Sequence, residues 1–222
     1  VAVSGGIAPS ALDEVVVLPW NNREATARLL EQHGASIGAL ILDPLANRGG
    51  MAQAEPGFLD FLGEITRRLG IVLIYDEVIS FRLAYGGAQE RFGGRPDLTV
   101  FGKIIGGGLP VGAVGGRAEI MALLDPTAGK ARVESGGTFS GNPLTMVAGH
   151  AALTKWTRDA VDRLNAMGAR LRQRVDAVFA EAGEAGQLAG EGSLFRLMLT
   201  RETIRDYRTS VRTAQPMARM TA

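Results

Sequence analysis

Cysteine is absent from the 222 residues, which excludes disulfide scaffolds, thiolate zinc sites, iron–sulfur clusters and cysteine nucleophiles. Histidine is scarce: His33 and His150 are the only two, too few for multi-histidine metal sites or histidine relays. Charge of neither sign is in excess, with Lys+Arg 24 against Asp+Glu 23, so nothing points to nucleic acid or an acidic partner. No run reaches the roughly 18 apolar residues of a membrane span. The opening Val1-Ala2-Val3-Ser4-Gly5-Gly6-Ile7 lacks the basic and apolar regions of a signal peptide, and a cytoplasmic location is the expectation. That opening lacks an initiator methionine and resembles the middle of a loop, so the chain reads as a fragment. Lysine is also nearly missing, since only Lys103, Lys130 and Lys155 occur among the basic residues.

What is present is a globular composition, 46% hydrophobic and 21% charged, which argues against disorder. Apolar runs alternate with helical patterns. Val15–Leu18, closed by Pro19, reads as a strand. Asn21 or Asn22 caps a helix over 23–33 that Gly34 ends. Residues 37–42 read as a strand ending at Asp43-Pro44. Phe58, Leu59, Leu62, Ile65 and Leu69 recur at helical spacing up to Gly70. The continuous run 71–75 reads as a strand covered on both faces, ending at Asp76-Glu77, and 98–101 as another ending beside Gly102-Lys103. Such alternation predicts an α/β fold with a mostly parallel sheet, whose ligands gather at the carboxyl ends of the strands. Asp43, Asp76 and Lys103 all sit at such ends.

After about residue 143 the character changes. Leu144–Trp156 reads as a helix. Val161, Leu164, Met167, Leu171, Val175 and Val178 draw one apolar stripe on a longer helix, with Arg163, Arg170, Arg172 and Arg174 mostly on its wet face. Residues 195–199 read as a strand of a smaller α+β domain. From Glu202 onward the periodicity fades. The expected division is 1–157 and 158–222.

Lys103 lies in Gly-Lys-Ile-Ile-Gly-Gly-Gly-Leu-Pro-Val, and its next eight neighbours are apolar, glycine or proline. A poorly hydrated ammonium favours the neutral amine, a nucleophile toward aldehydes; a surface lysine on a glycine-rich turn explains the motif as well. Asp76 ends an apolar strand and needs a partner. A protonated pyridine nitrogen is one; a helix cap or an arginine salt bridge explains a lone aspartate better. Neither a dinucleotide-binding G-x-G-x-x-G nor a P-loop is in register here. Trp20 and Trp156 read as core or interface residues.

Five ordered blocks change the balance: Tyr-Asp-Glu-Val-Ile-Ser-Phe-Arg at 75–82, Gly-Gly-Ala-Gln at 86–89, Pro-Asp-Leu-Thr at 96–99, Gly-Lys-Ile-Ile-Gly-Gly-Gly-Leu-Pro-Val-Gly-Ala at 102–113 and Gly-Gly-Thr-Phe-Ser-Gly-Asn-Pro-Leu at 136–144. Together they resemble the class III, fold type I pyridoxal-phosphate aminotransferases, most closely the glutamate-1-semialdehyde 2,1-aminomutase-like branch. The resemblance implies the C-terminal part of a fold type I large domain with the start of its small domain. It implies pyridoxal 5'-phosphate held on Lys103 as a Schiff base, with Asp76 on the pyridine nitrogen. Val78 would then pack on the ring, although ordinary core packing also accounts for it. Gly137 and Thr138 would hold the phosphate, Thr138 toward the partner subunit's cofactor, although a turn hydroxyl also accounts for Thr138. A homodimer with shared active sites, acting on a small amino substrate, follows from the same resemblance. So do two alternatives, an ordinary aminotransferase with a keto-acid acceptor and a truncated or silent homologue. Three departures stand out. Phe81 follows Ser80 where the family commonly has glycine, Asp43-Pro44 replaces a common Glu-Pro, and the chain is about half a family member. A fragment of this kind should expose apolar sheet surface and bind the cofactor weakly.

Overall fold

A computed structural model describes residues 5–127 and 129–220 of the chain. After a single turn, α1 (Ser10–Asp13), residues 15–19 form no strand. The β-branched run expected to pair there finds no neighbouring strand among the described residues, and Val15 and Val17 are exposed. Helix α2 (Arg23–His33) begins where expected, with the Asn22 side chain accepting from the Ala25 amide at 3.0 Å. Asn21 does something else. Its Nδ2 donates to the Gln53 carbonyl at 2.8 Å and the Arg205 carbonyl at 3.0 Å, while its Oδ1 accepts from the Glu55 amide.

Strand β1 (Ala39–Leu42) is followed by a tight antiparallel pair, β2 (Leu45–Ala46) and β3 (Ala52–Gln53). Helix α3 (Phe58–Leu69) then leads through Gly70 into β4 (Val72–Asp76). A short helix α4 (Ala88–Phe92) precedes β5 (Leu98–Gly102), and β6 (Gly112–Gly116) and α5 (Ala118–Met121) follow. The sheet runs β1-β4-β5-β6, with β1, β4 and β5 parallel and β6 antiparallel at the edge. At the amino end of these strands Asp97 stitches the sheet: Oδ2 accepts from the Leu73 amide and Oδ1 from Arg117 Nη1, both at 2.8 Å.

The core lies on one face of this sheet. Leu40, Leu73 and Tyr75 point into Leu30 of α2 and Phe58, Leu59, Leu62 and Ile65 of α3, the face that the helical spacing of the sequence foretold. The expectation of cover on both faces fails: Val72 and Ile74 are only half-buried, and Ile41 is 63% exposed. A purely apolar strand needs apolar contact on both sides, but here α2 and α3 supply only one.

Helix α6 (Pro143–Thr154) matches its expected span, with Asn142 capping it through bonds from the Leu144 and Thr145 amides. Phe81, standing where glycine was expected, packs edge-on against Phe101 and parallel to Trp156, so Trp156 is a packing residue. Helix α7 (Arg158–Glu181) follows, and its apolar stripe needs correction. Met167, Leu171 and Val178 are exposed, whereas Gly168 is buried and half-buried Arg172 donates to the Gly192 carbonyl at 2.8 Å. The hairpin β7 (Gln187–Glu191) and β8 (Leu194–Met198) sits against Gly168, and backbone contact there displaces the apolar line. Helix α8 (Tyr207–Met220) ends the described chain. It escaped the periodicity reading because its buried positions include Ser210 and Thr213, which are polar.

Leu73 is 1% exposed at the centre of the core, so truncation leaves a cavity that rigid neighbours on β1, α2 and α3 cannot fill. Leu73→Ala is expected to destabilise the fold by about 2–5 kcal/mol. Urea unfolding followed by far-UV circular dichroism measures it, and a loss below about 1 kcal/mol would contradict the one-faced core.

Candidate active site

Three strand ends meet in one place. The register Leu42↔Tyr75 sets Asp43 beside Asp76 at the carboxyl edge, and Asp76↔Val100 sets Lys103 three residues further on, just past the end of β5. Asp43, Asp76, Val78 and Lys103 all line a single open cleft of about 1090 Å³. The strand ends read from the sequence are thus brought together in the structure.

Asp76 is half-buried, and its Oδ1 accepts from the Val78 amide at 3.1 Å. That bond turns the chain away from the sheet and brings Val78 against Gly102. A Cβ on residue 102 would stand 3.2 Å from Val78 Cγ1, so glycine there permits the close approach. Beyond Asp76 the chain is anchored by Glu77, which is fully buried. Its carboxylate accepts from the Ala88 amide at 2.5 Å, the Gln89 amide at 3.3 Å and Gln89 Nε2 at 2.9 Å. Burial pushes its pKa up, while the Gln89 and Ala88 donors pull it back. The motif at 75–82 contains Glu77 without assigning it a role, and its place directly after Asp76 at the end of an apolar strand is the signal for one.

Lys103 follows β5 directly, at φ +51°, in the left-handed region that side-chain-bearing residues rarely adopt. Such a conformation costs on the order of 1–3 kcal/mol and recurs where a side chain must be aimed. The 3-10 turn Lys103–Gly106 rests on α6. Its Ile104 and Ile105 are half-buried, yet Lys103 itself is exposed. The expectation of a poorly hydrated ammonium is thus not met: the apolar neighbours in sequence turn aside and leave the amine open to the cleft.

Gly137 and Thr138 are not brought to the cleft. They lie in an exposed stretch closed by the Ser140 amide bonding to the Gly137 carbonyl at 2.9 Å. Other residues join the cleft that the sequence did not nominate. Val15–Leu18 cross it, and Arg48 and Tyr207 line its wall. Among the described residues no group of histidine, aspartate and glutamate is placed to hold a metal ion, and no helix is long and apolar enough to cross a membrane.

Asp43 is the electrostatically perturbed member. Its Oδ1 accepts from the Leu45 amide at 3.1 Å and its Oδ2 from the Asn47 amide at 3.2 Å. Burial nevertheless pushes its pKa up to about 6, with the nearby Asp76 charge adding to the rise. One of the two carboxylates thus takes up a proton more readily than an ordinary aspartate.

Residues 12–216 match the family described as Aminotransferase class-III. The glutamate-1-semialdehyde 2,1-aminomutase of Thermomicrobium roseum is 42% identical over 209 residues, which are 93% of this chain and 48% of that protein. Among solved structures, an omega-transaminase from Sphaerobacter thermophilus superposes with a TM-score of 0.91 at 52% identity, covering 96% of this chain and 49% of that one. A transaminase solved with PLP bound gives a TM-score of 0.85 at 35% identity, covering 88% and 46% respectively. The chain spans about half the length of the curated relatives it matches.

The raised pKa of Asp43 has a definite sign in stability. The folded state holds a proton that the unfolded chain releases near pH 4, so this contribution is complete below pH 4 and lost as pH rises through about 6. Relative to wild type, Asp43→Asn is expected to gain stability on the order of 1–3 kcal/mol between pH 4 and pH 7. Urea titrations across that range measure the difference, and a pH-independent offset would refute the raised pKa.

Proposed function

The chain belongs to the class-III aminotransferase family, and from that premise we propose that it serves pyridoxal-phosphate-dependent amino-group transfer on a small amino substrate, with Lys103 and Asp76 as its catalytic pair. The observation that carries the proposal is the convergence of Asp76, Val78 and Lys103 in one cleft. The donor set fits the ring end of the cofactor: a carboxylate with one amide bond and spare acceptor capacity, a branched apolar side chain beside it, and an exposed amine. When bound, pyridoxal 5'-phosphate supplies an electron sink for the carbanion formed on the substrate carbon.

The chain's own residues divide that work. Lys103 Nζ would hold the cofactor covalently, and its amine would serve as the group that moves a proton at the substrate carbon. Asp76 Oδ2 would pair with the ring nitrogen and hold its proton in place. Val78 would pack against the ring with a stiff, branched side chain. Asp43 stands behind Asp76, and its readiness to protonate lowers the repulsion between the two carboxylates.

Two readings of the substrate chemistry are supported by different observations. The aminomutase relative supports return of the amino group to the same carbon skeleton. The identity of 52% to the omega-transaminase, above the 42% to the aminomutase of Thermomicrobium roseum, favours transfer to a separate keto-acid acceptor. The proposal also includes a cytoplasmic homodimer in which Gly137 and Thr138 hold the phosphate of the partner subunit's cofactor. Their exposure away from their own cleft supports that arrangement. The division into 1–157 and 158–222 is likewise proposed, supported by the separate two-stranded sheet of β7 and β8.

Borohydride reduction of the cofactor-loaded protein at its full length, followed by peptide mapping, tests the central assignment. The expected label falls on Lys103; label on Lys130 or Lys155 would overturn it. Turnover that requires an added keto acid selects the second reading, and turnover without one selects the first.

Action in trans has its own measurement. Lys103→Ala and Thr138→Ala subunits, each impaired alone, are expected to recover up to about a quarter of wild-type activity when mixed, because heterodimers hold one intact site of the two. Demonstrated heterodimers without recovery would return Thr138 to its own chain.

A further inference from the structure

Among the described residues, the cleft that holds Lys103 has one other cationic side chain in its lining, Arg48, against the acidic Asp13, Glu14, Asp43 and Asp76. Arg48 is exposed, and among the described residues no carboxylate pairs with it. Its backbone is nonetheless tightly held. It occupies the middle of the 3-10 turn Asn47–Gly49 between β2 and β3. Asp43 fixes the entry to that turn by accepting from the Asn47 amide. At the exit, Gly50 has φ +80°, and a Cβ there would collide with Ser210 Oγ of α8. Met51, with φ +63°, is buried immediately after. A strained, braced turn therefore presents a guanidinium that makes no ion pair among the described residues.

We propose that Arg48 is the specificity-determining residue that receives the carboxylate of the substrate. This inference rests on the amino-transfer reading and deepens it by naming an amino acid, not a plain amine, as the donor class. A carboxylate entering a cleft walled by Val15–Leu18, Ile41 and Leu42 loses water and needs a compensating charge. Lys103 is already committed to holding the cofactor and moving the proton, so its amine is not free to hold a carboxylate. The guanidinium of Arg48 offers two parallel N–H donors in the fork that matches a carboxylate. It also offsets the repulsion from Asp13, Glu14 and Asp76. Holding the turn in advance reduces what must be ordered when the substrate arrives.

The test uses butyrate as an unreactive carboxylate probe and butyramide as its uncharged counterpart, each titrated by calorimetry into the cofactor-loaded protein at its full length and constant ionic strength. Arg48→Gln is expected to weaken butyrate binding at least tenfold while leaving butyramide within twofold. Arg48→Lys is expected to recover part of the loss, because a point charge replaces the fork. In turnover, Arg48→Gln should raise KM for 4-aminobutyrate far more than for butylamine. Equal butyrate affinity in wild type and Arg48→Gln, no butyrate binding by wild type, or equal losses for both probes would each overturn the assignment. Borohydride labelling of Lys103 separates this from the broader reading. Labelling intact with butyrate binding unchanged removes Arg48 alone, whereas no labelling in wild type removes the amino-transfer reading and this inference with it.

Discussion

A fully buried carboxylate, Glu77, governs how the carboxyl edge of the sheet is shaped. Its backbone amide bonds to the Val100 carbonyl at 2.9 Å, tying the end of β4 to β5. Its side chain gathers the Ala88 and Gln89 amides, and Gln89 Nε2 passes the connection to Thr99 Oγ1 at 3.0 Å. An unpaired charge in that position would be strongly destabilising. With three donors around it, the same charge fixes the path of residues 78–88 and so the direction in which Asp76 and Val78 face. The two ends of the sheet thus carry different duties. Asp97 and Arg117 lock the amino end for the fold, and Glu77 shapes the carboxyl end for the site.

The short strands were legible because parallel strands read as apolar runs with a chemical residue at the end. Asp43, Asp76 and Lys103 were found in that way, and their meeting in one cleft follows from register alone. The helices α2, α3 and α6 were legible from caps and spacing. Legibility failed where structure depends on long-range partners. Val15–Leu18 has strand-forming residues but no strand to join. The inward face of α7 is set by the backbone of the β7–β8 turn, so Gly168 and Arg172 face inward while Met167 stays out. Helix α8 buries hydroxyls, for which no hydrophobic period exists.

At the site, sequence spacing identified residue types but not their surroundings. Lys103 was expected to be dry because its neighbours along the chain are apolar. The left-handed turn at Lys103 points those neighbours at α6 and the amine at solvent. Arg48 and Glu77 escaped notice for opposite reasons. One is an ordinary charged residue in a loop, significant only through the wall it belongs to. The other is a charge inside a motif whose neighbours drew the chemistry.

The bonds of Asn21 bear on the order in which the molecule can be made. Its side-chain amide closes on the Arg205 carbonyl across 184 residues. Gln53 similarly reaches the Gly190 carbonyl across 137 residues. Closures of that length are slow compared with helix formation, because the entropy of a large loop must be lost before any bond rewards it. During synthesis from the amino terminus, the parallel core can assemble once β5 has emerged from the ribosome. The Asn21 latch cannot close until Arg205 has been released as well. The stretch Val15–Leu18 that crosses the cleft is therefore made well before the Arg205 carbonyl that holds its neighbour Asn21 in place.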